Sequence, residues 1–415
     1  MSARTSFIVD VNKCTGCHAC AMACTIANDL PVDRSWRQVN TFNELHVPGI
    51  ELLHLSLACN HCADAPCMAQ CPADAYYRDE MTDAVLINAD TCVGCQYCAW
   101  VCPYDAPKYD DALGVMTKCT FCVDRQHQGL APACTDACPT GALDWGQLVP
   151  DDLTQAVPGF AEAGCQPAIR VVGLEKMRVT PETTHPGAIP PWEKVREWIT
   201  PKITLRHEWT LAFFTLLLAF LVGWFGSGQA DRDVFPVLGF FGMGLSASHL
   251  GRAARGWRAA FNLKSSWLSR EIFLVGGFLV LATGVLWWPP SLTDSLVPMQ
   301  AVTLFLGFAM LFTVDTVYHP AIVRGNGTLH SAQTMWTALL FGWAFTGSTL
   351  ILLAALIKLV FYLTRARNRR ALDLPCSPPR RLTRLITLVT GTIAVLVGLG
   401  PWPAVILLMI GEALD

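Results

Sequence analysis

Sixteen of the chain's 18 cysteines fall into four groups of four, and no other feature restricts the possible folds so strongly. The groups are Cys14, Cys17, Cys20 and Cys24; Cys59, Cys62, Cys67 and Cys71; Cys92, Cys95, Cys98 and Cys102; and Cys119, Cys122, Cys134 and Cys138. The first and third are C-x2-C-x2-C-x3-C runs. At that spacing three thiolates on a tight loop can wrap one metal-sulfur cube, while the fourth opens a helix and reaches a neighbouring cube. Pro72, Pro103 and Pro139 follow the last cysteine of three groups, and Thr25 stands in that place in the first. A following proline disfavours helical backbone at the cysteine before it and leaves no N–H to satisfy.

Cysteines this closely spaced, with no secretory signal ahead of them, argue against a disulfide framework. Zinc prefers two C-x2-C pairs held apart. The fourth group alone could pass for such a site, but the first and third could not easily do so. Recurrence of all four groups favours iron-sulfur clusters. Cys165 and Cys376 lie apart and read as bystanders.

The chain is 52% hydrophobic and 15% charged over 415 residues, with mean hydropathy +0.37; that is too apolar for an ordinary soluble protein. Its first 200 or so residues are polar and cysteine-dense, and the remainder is dominated by long apolar runs. Residues 1–202 carry 14 Lys and Arg against 24 Asp and Glu, a balance of −10, whereas the rest carries +7. An acidic half tethered to a basic half suggests electrostatic docking of one on the other and no nucleic-acid partner.

The cysteine motifs are CTGCHACAMAC (14–24), CNHCADAPCMAQCP (59–72), CVGCQYCAWVCPYDAPKY (92–109) and MTKCTFCVDRQHQGLAPACTDACPTGAL (116–143). On these, residues 1–180 resemble the four-cluster iron-sulfur subunit of molybdopterin oxidoreductase complexes of the dimethyl sulfoxide reductase type. The resemblance implies an α+β, ferredoxin-like tandem domain with four [4Fe-4S] clusters, each fourth cysteine being exchanged within a pair of groups. The implied ligand sets are Cys14, Cys17, Cys20 with Cys138; Cys119, Cys122, Cys134 with Cys24; Cys59, Cys62, Cys67 with Cys102; and Cys92, Cys95, Cys98 with Cys71.

A Pro-rich linker is expected over 181–205, and an all-α transmembrane bundle over 206–415. Apolar runs at about 208–226, 234–251, 271–289, 298–318, 334–363, 383–400 and 402–414 predict six or seven spans, the last one short unless Pro401 and Pro403 merely kink one helix. Polar residues inside such runs are costly and mark function, which singles out Glu208, His249, Asp315 and His319. Quinone chemistry moves two protons with two electrons, so it needs a hydrogen-bonding group and a proton acceptor beside an apolar slot. His249 and Glu271 suit it. His249-Leu250-Gly251, Arg255 and the Ser266–Glu271 segment resemble the quinol-site loop of the same family's membrane anchor, and His207-Glu208-Trp209 its start. The anchor is normally a separate chain. That resemblance weakens toward the C-terminus, and a quinone role for Glu412 is left as speculation.

The expected function is electron transfer between menaquinone or ubiquinone in a lipid membrane and a separate molybdopterin catalytic subunit, in either direction. This chain offers no Gly-rich dinucleotide loop and no nucleophile constellation. Haem is not expected, although His249 and His319 could in principle supply two axial ligands. The alternative is a four-cluster carrier in a hydrogenase-linked or ion-translocating complex. Cluster assembly in the cytoplasm, the missing leader, and the loop bearing Arg252, Arg255, Arg258, Lys264 and Arg270 place the iron-sulfur domain on the cytoplasmic side of the inner membrane. The seven arginines from Arg365 to Arg384 run against that orientation.

Overall fold

The computed structural model describes residues 3–32, 34–42, 52–154, 157, 160, 164–173, 205–288, 296–323, 334–371 and 378–413. The expected linker apart from its last residue, Cys376, and the side chains of His207, Glu208, Tyr318, His319 and Arg365 to Arg381 lie outside the described residues. The chain divides into two units, Met1–Lys202 and Ile203–Asp415.

In the first unit β1 (Arg4–Asp10) is the central strand of a three-stranded sheet. It pairs antiparallel with β8 (Leu143–Leu148) and parallel with β9 (Ile169–Val172). Three antiparallel pairs fill the chain between: β2 (Gln38–Phe42) with β3 (Leu53–Leu57), β4 (Tyr76–Arg78) with β5 (Val85–Ile87), and β6 (Lys108–Asp110) with β7 (Val115–Thr117). Among the described residues five short helices join it: α1 (Ala19–Ala27), α2 (Pro66–Ala69), α3 (Tyr97–Val101), α4 (Val123–His127) and α5 (Ala133–Asp136). Phe7, Val9, Leu55, Phe121, Leu143 and Ile169 form the core, which several cluster-motif cysteines join. This is the α+β iron-sulfur architecture that the motifs imply.

The pairs have a consistent logic. Each one follows one cysteine group and leads into the next. Val9 opposite Leu143 brings the segment entering Cys14 beside the segment leaving Cys138. Tyr76 opposite Ile87 does the same for Cys71 and Cys92, and Lys108 opposite Thr117 for Cys102 and Cys119.

The second unit is helical: α6 (Leu205–Gly226), α7 (Val234–Ala247), α8 (Trp267–Leu286), α9 (Leu296–Val323), α10 (Thr334–Thr346), α11 (Ile351–Ala371), α12 (Pro378–Leu396) and α13 (Pro401–Ala413), with a 3-10 helix over Ala253–Ala260. Among the described residues three stretches are long and apolar enough to cross a membrane: Trp209–Gly226, Trp267–Leu286 and Val297–Val317. Val234–Ala247, Ile351–Thr364, Leu382–Leu396 and Pro401–Glu412 are apolar but shorter. Two expected runs are corrected, and one open alternative is decided. The run 234–251 is helical only to Ala247. The run 334–363 is two helices, because Gly347 takes a left-handed conformation (φ 65°) directly after α10, the usual way to close a helix. A single kinked helix at the C-terminus is excluded by Gly398 and Gly400, both left-handed, which separate α12 from α13.

Small residues let α6 and α10 approach closely. A Cβ on Gly223 would collide with the Ala338 carbonyl and come within 2.9 Å of the Gly342 nitrogen. In an apolar solvent, where burial offers no driving force between helices, such close packing holds them together. Phe220, Trp224, Phe345 and Trp402 cluster beside this contact.

Candidate functional site

The four cysteine groups share one backbone device. The residue before the second cysteine is left-handed in every group: Gly16 (φ 69°), His61 (φ 40°), Gly94 (φ 70°) and Phe121 (φ 61°). That turn points backbone amides at sulfur. His61, Gly94 and Phe121 N–H groups lie 3.5, 3.4 and 3.3 Å from the sulfurs of Cys59, Cys92 and Cys119. Past the fourth cysteine, the amides of Ala75, Ala106 and Leu143 donate to Cys71, Cys102 and Cys138 at 3.3, 3.5 and 3.4 Å. Donors aimed at sulfur favour the thiolate, the form that binds iron.

Three cavities of about 350, 350 and 320 Å³ are each lined by four cysteines. The first gathers Cys14, Cys17, Cys20 and Cys138. The second gathers Cys59, Cys62, Cys67 and Cys102, and the third Cys71, Cys92, Cys95 and Cys98. The remaining four also converge: Cys24 interacts with Cys122 and Cys134, and Cys119 with Cys24 and Cys134. Among the described residues no three His, Cys, Asp or Glu side chains converge tightly enough to hold a single metal ion. Zinc would draw its thiolates to about 2.3 Å; these quartets stand round a larger object, as a cubane requires. Burial pushes the thiols of Cys14, Cys71 and Cys122 above the ordinary range and that of Cys24 to about 11. Thiolates in such places need a positive centre, which cluster iron supplies.

Helix geometry sets the spacing between quartets. Cys20 and Cys24, Cys67 and Cys71, Cys98 and Cys102, and Cys134 and Cys138 are each four residues apart on or just past a short helix. In every case one member serves one quartet and the other its neighbour, so a single helical turn of about 5.4 Å links two sites. Charge interactions between neighbouring quartets give a linear order. Arg37 interacts with both Cys20 and Cys24, Cys119 approaches Cys59, and Cys98 approaches Cys67. Cys17, in the quartet at one end, is exposed. Cys165 lies in a loop, buried beside Cys62 and 3.7 Å from the Tyr104 hydroxyl.

Comparison with known proteins places these motifs. Residues 50–148 match the 4Fe-4S dicluster domain family. A chain of the anaerobic dimethyl sulfoxide reductase of Escherichia coli (strain K12) is 36% identical over 156 residues, 36% of this chain and 76% of the relative. The chain belongs to the iron-sulfur subunits of dimethyl sulfoxide reductase-type complexes. Thiosulfate reductase electron transfer subunit PhsB of Salmonella typhi is 37% identical over 155 residues, covering 36% of this chain and 78% of the relative. A sulfite dehydrogenase subunit of Allochromatium vinosum is 33% identical over 182 residues, covering 39% and 76%. The family membership therefore speaks for little more than a third of the chain, and the helical unit is an addition to that part, as in a fusion.

In the helical unit of this family member, the His249 turn follows α7, Arg255 lies in the 3-10 helix that packs on α8, and Glu271 is on the second turn of α8. Ser266 caps α8, its hydroxyl accepting the Ser269 N–H at 3.3 Å. Glu271 is 4% exposed. His249 and Glu271 are not hydrogen-bonded to each other among the described residues. His249 Nδ1 is buried without a partner. The Arg270 guanidinium stacks 4.4 Å from the Trp267 ring centre, and Trp257 and Phe261 are exposed alongside; this basic, aromatic composition suits a membrane interface. Asp315 accepts the Thr334 N–H at 3.2 Å.

Sequence reasoning missed a second polar group. Lys358 Nζ lies 2.6 Å from Glu412 Oε2 and donates to Thr337 Oγ1 at 2.7 Å. Thr337 donates to Glu412 at 2.8 Å, and the Tyr362 hydroxyl donates to the other carboxylate oxygen. The signal was present: Lys358 interrupts the apolar run 351–363, where a charge is expensive.

Proposed function

We propose that this chain carries electrons between the membrane quinone pool and a separate molybdopterin catalytic subunit, through four [4Fe-4S] clusters on the ligand sets Cys14/Cys17/Cys20/Cys138, Cys24/Cys119/Cys122/Cys134, Cys59/Cys62/Cys67/Cys102 and Cys71/Cys92/Cys95/Cys98. The observation that carries the proposal is the linear succession of four-cysteine sites in one chain with three membrane-capable helices. When bound, the clusters supply one-electron carriers whose potentials respond to hydrogen bonds, charge and exposure. The chain's own part is to join the sites within each pair by single helical turns and to aim amides at sulfur.

At the membrane end, His249, Arg255 and Glu271 form the quinone site in this proposal. Quinol oxidation releases two protons with its two electrons. A half-buried imidazole with an unpartnered ring nitrogen can hydrogen-bond a quinol hydroxyl, and Glu271, buried with no partner of its own among the described residues, gains one when a ligand hydroxyl meets it. Arg255 would supply positive charge to a quinone held there. The 2-His haem alternative rests on His319, which lies outside the described side chains. Relatives named as reductases and as a dehydrogenase make both directions of electron flow compatible with this architecture. The iron-sulfur unit is proposed to face the cytoplasm.

The test uses native membranes containing the full chain. Quinol should reduce the clusters in the parent protein, whereas His249→Ala and Glu271→Gln should lose quinol-driven reduction and retain reduction by dithionite. Unchanged quinol kinetics in both variants would overturn the site. Purification in mild detergent should bring down a large chain with molybdenum; nickel in its place would transfer the chain to a hydrogenase-linked complex.

A further inference from the structure

Arg37 precedes β2 and is 1% exposed, the bulkiest wholly enclosed side chain in the described protein. Its Nη1 donates to the Ser56 hydroxyl at 3.1 Å and lies 3.4 Å from the Ser56 carbonyl oxygen. The guanidinium carbon sits 4.3 Å from the centre of the Phe7 ring. Nε and Nη2 are buried with no hydrogen-bond partner. No carboxylate pairs with it among the described residues; the groups it interacts with are the sulfurs of Cys134, Cys119 and Cys24 in one quartet and Cys20 in the next. Ser56 Oγ, its bonded partner, is itself 3.3 Å from Cys20 Sγ.

An arginine cannot shed its proton, and enclosing its charge without a counter-ion is expensive. Lys118 shows the contrast: it is similarly enclosed, but its Nζ donates to the carbonyls of Val85 and Cys119. Arg37 instead has two buried donors without a partner, and the negative groups that act on it are cysteine sulfurs.

We propose that Arg37 is the counter-cation shared by the Cys14/Cys17/Cys20/Cys138 and Cys24/Cys119/Cys122/Cys134 sites, and that it sets the reduction potentials of those two centres above the values their thiolates alone would give. The proposal rests on the ligand sets above. Its sign follows from charge: reduction adds an electron to an anionic centre, and a fixed cation favours the more negative state, most strongly where water is excluded. Placing one cation at the junction raises both centres together and so keeps the step between them shallow. Arg37 touches no substrate; it is a tuning residue for electron transfer.

The experiment is a redox titration of membranes containing the full chain, followed by low-temperature electron paramagnetic resonance, with iron and sulfide analysis of each sample. In Arg37→Gln two of the four centres should fall by a tenfold change in the redox equilibrium constant or more, about 59 mV for a one-electron couple, while the other two stay in place. Arg37→Lys keeps the charge and should shift the same two centres less. Where Arg37→Gln loses those two centres and Arg37→Lys keeps them, the need for charge is equally upheld. Potentials that are unmoved in Arg37→Gln with full iron content, or loss of all four centres in both variants, would overturn the proposal. Parent protein with fewer than four clusters would instead overturn the ligand sets.

Discussion

Lys358 and Glu412 form an ion pair 2.6 Å long whose side chains are 0% and 4% exposed, between two apolar helices. Removing one partner strands the other. Lys358→Met or Glu412→Gln alone should destabilise the helical unit by about 3–5 kcal/mol, whereas Lys358→Met with Glu412→Met should recover most of the loss, because two apolar groups leave nothing unpaired. Thermal unfolding of the detergent-solubilised protein measures all three; a double variant no better than either single one would show that the pair is not the unit of stability.

Cysteine exchange between groups makes a sharp prediction. Cys138→Ser should abolish the same resonance signal as Cys14→Ser, although Cys138 lies in the group of Cys119, Cys122 and Cys134. By the same pattern, Cys24→Ser should match Cys122→Ser. Spectra that pair Cys138 with Cys122 would contradict the exchange.

Gly223 admits no side chain. Gly223→Ala drives a Cβ into the Ala338 carbonyl across the contact between α6 and α10, and overpacking of this kind costs about 1–3 kcal/mol. The melting temperature should fall. Gly284→Ala, where a Cβ meets nothing within 4 Å, is the control and should leave it unchanged or slightly raised.

Extraction of iron and sulfide should affect the two units differently. Cysteines make up much of the first unit's core, and cluster binding there is folding energy. After extraction, limited proteolysis should cut the first unit rapidly while the helical unit, whose stability comes from packed helices, keeps its far-ultraviolet circular dichroism. Equal resistance of both units to protease would argue against this dependence.

The cysteine runs made the first unit legible because ligand spacing is a local property: a loop either wraps a cubane or it does not. Hairpin pairing was less visible. Strands of three residues such as β4 and β6 carry too little alternation to announce themselves, yet they decide that Cys71 meets Cys92. Arg37 carried no signal, since an arginine between Trp36 and Gln38 reads as surface until β2 and β3 pair and enclose it. In the helical unit hydropathy found the apolar runs but not their breaks, because the left-handed glycines at 347, 398 and 400 look like the many helical glycines around them. Glu271 stands out as a charge entering an apolar run. Lys358 gives the same kind of signal in a run with no motif around it, and the weight of Glu412 shows only once its partner is found 2.6 Å away.

The cavity begun by Cys14, Cys17 and Cys20 is closed by Cys138, more than a hundred residues further along the chain. A ribosome delivers the two sides of that cavity many seconds apart, at about 5–20 residues per second. The first three cysteines must therefore wait, reduced and unligated by a fourth protein sulfur, until β8 docks on β1. The outermost site therefore cannot be completed until nearly all of the four cysteine groups' segment has been made.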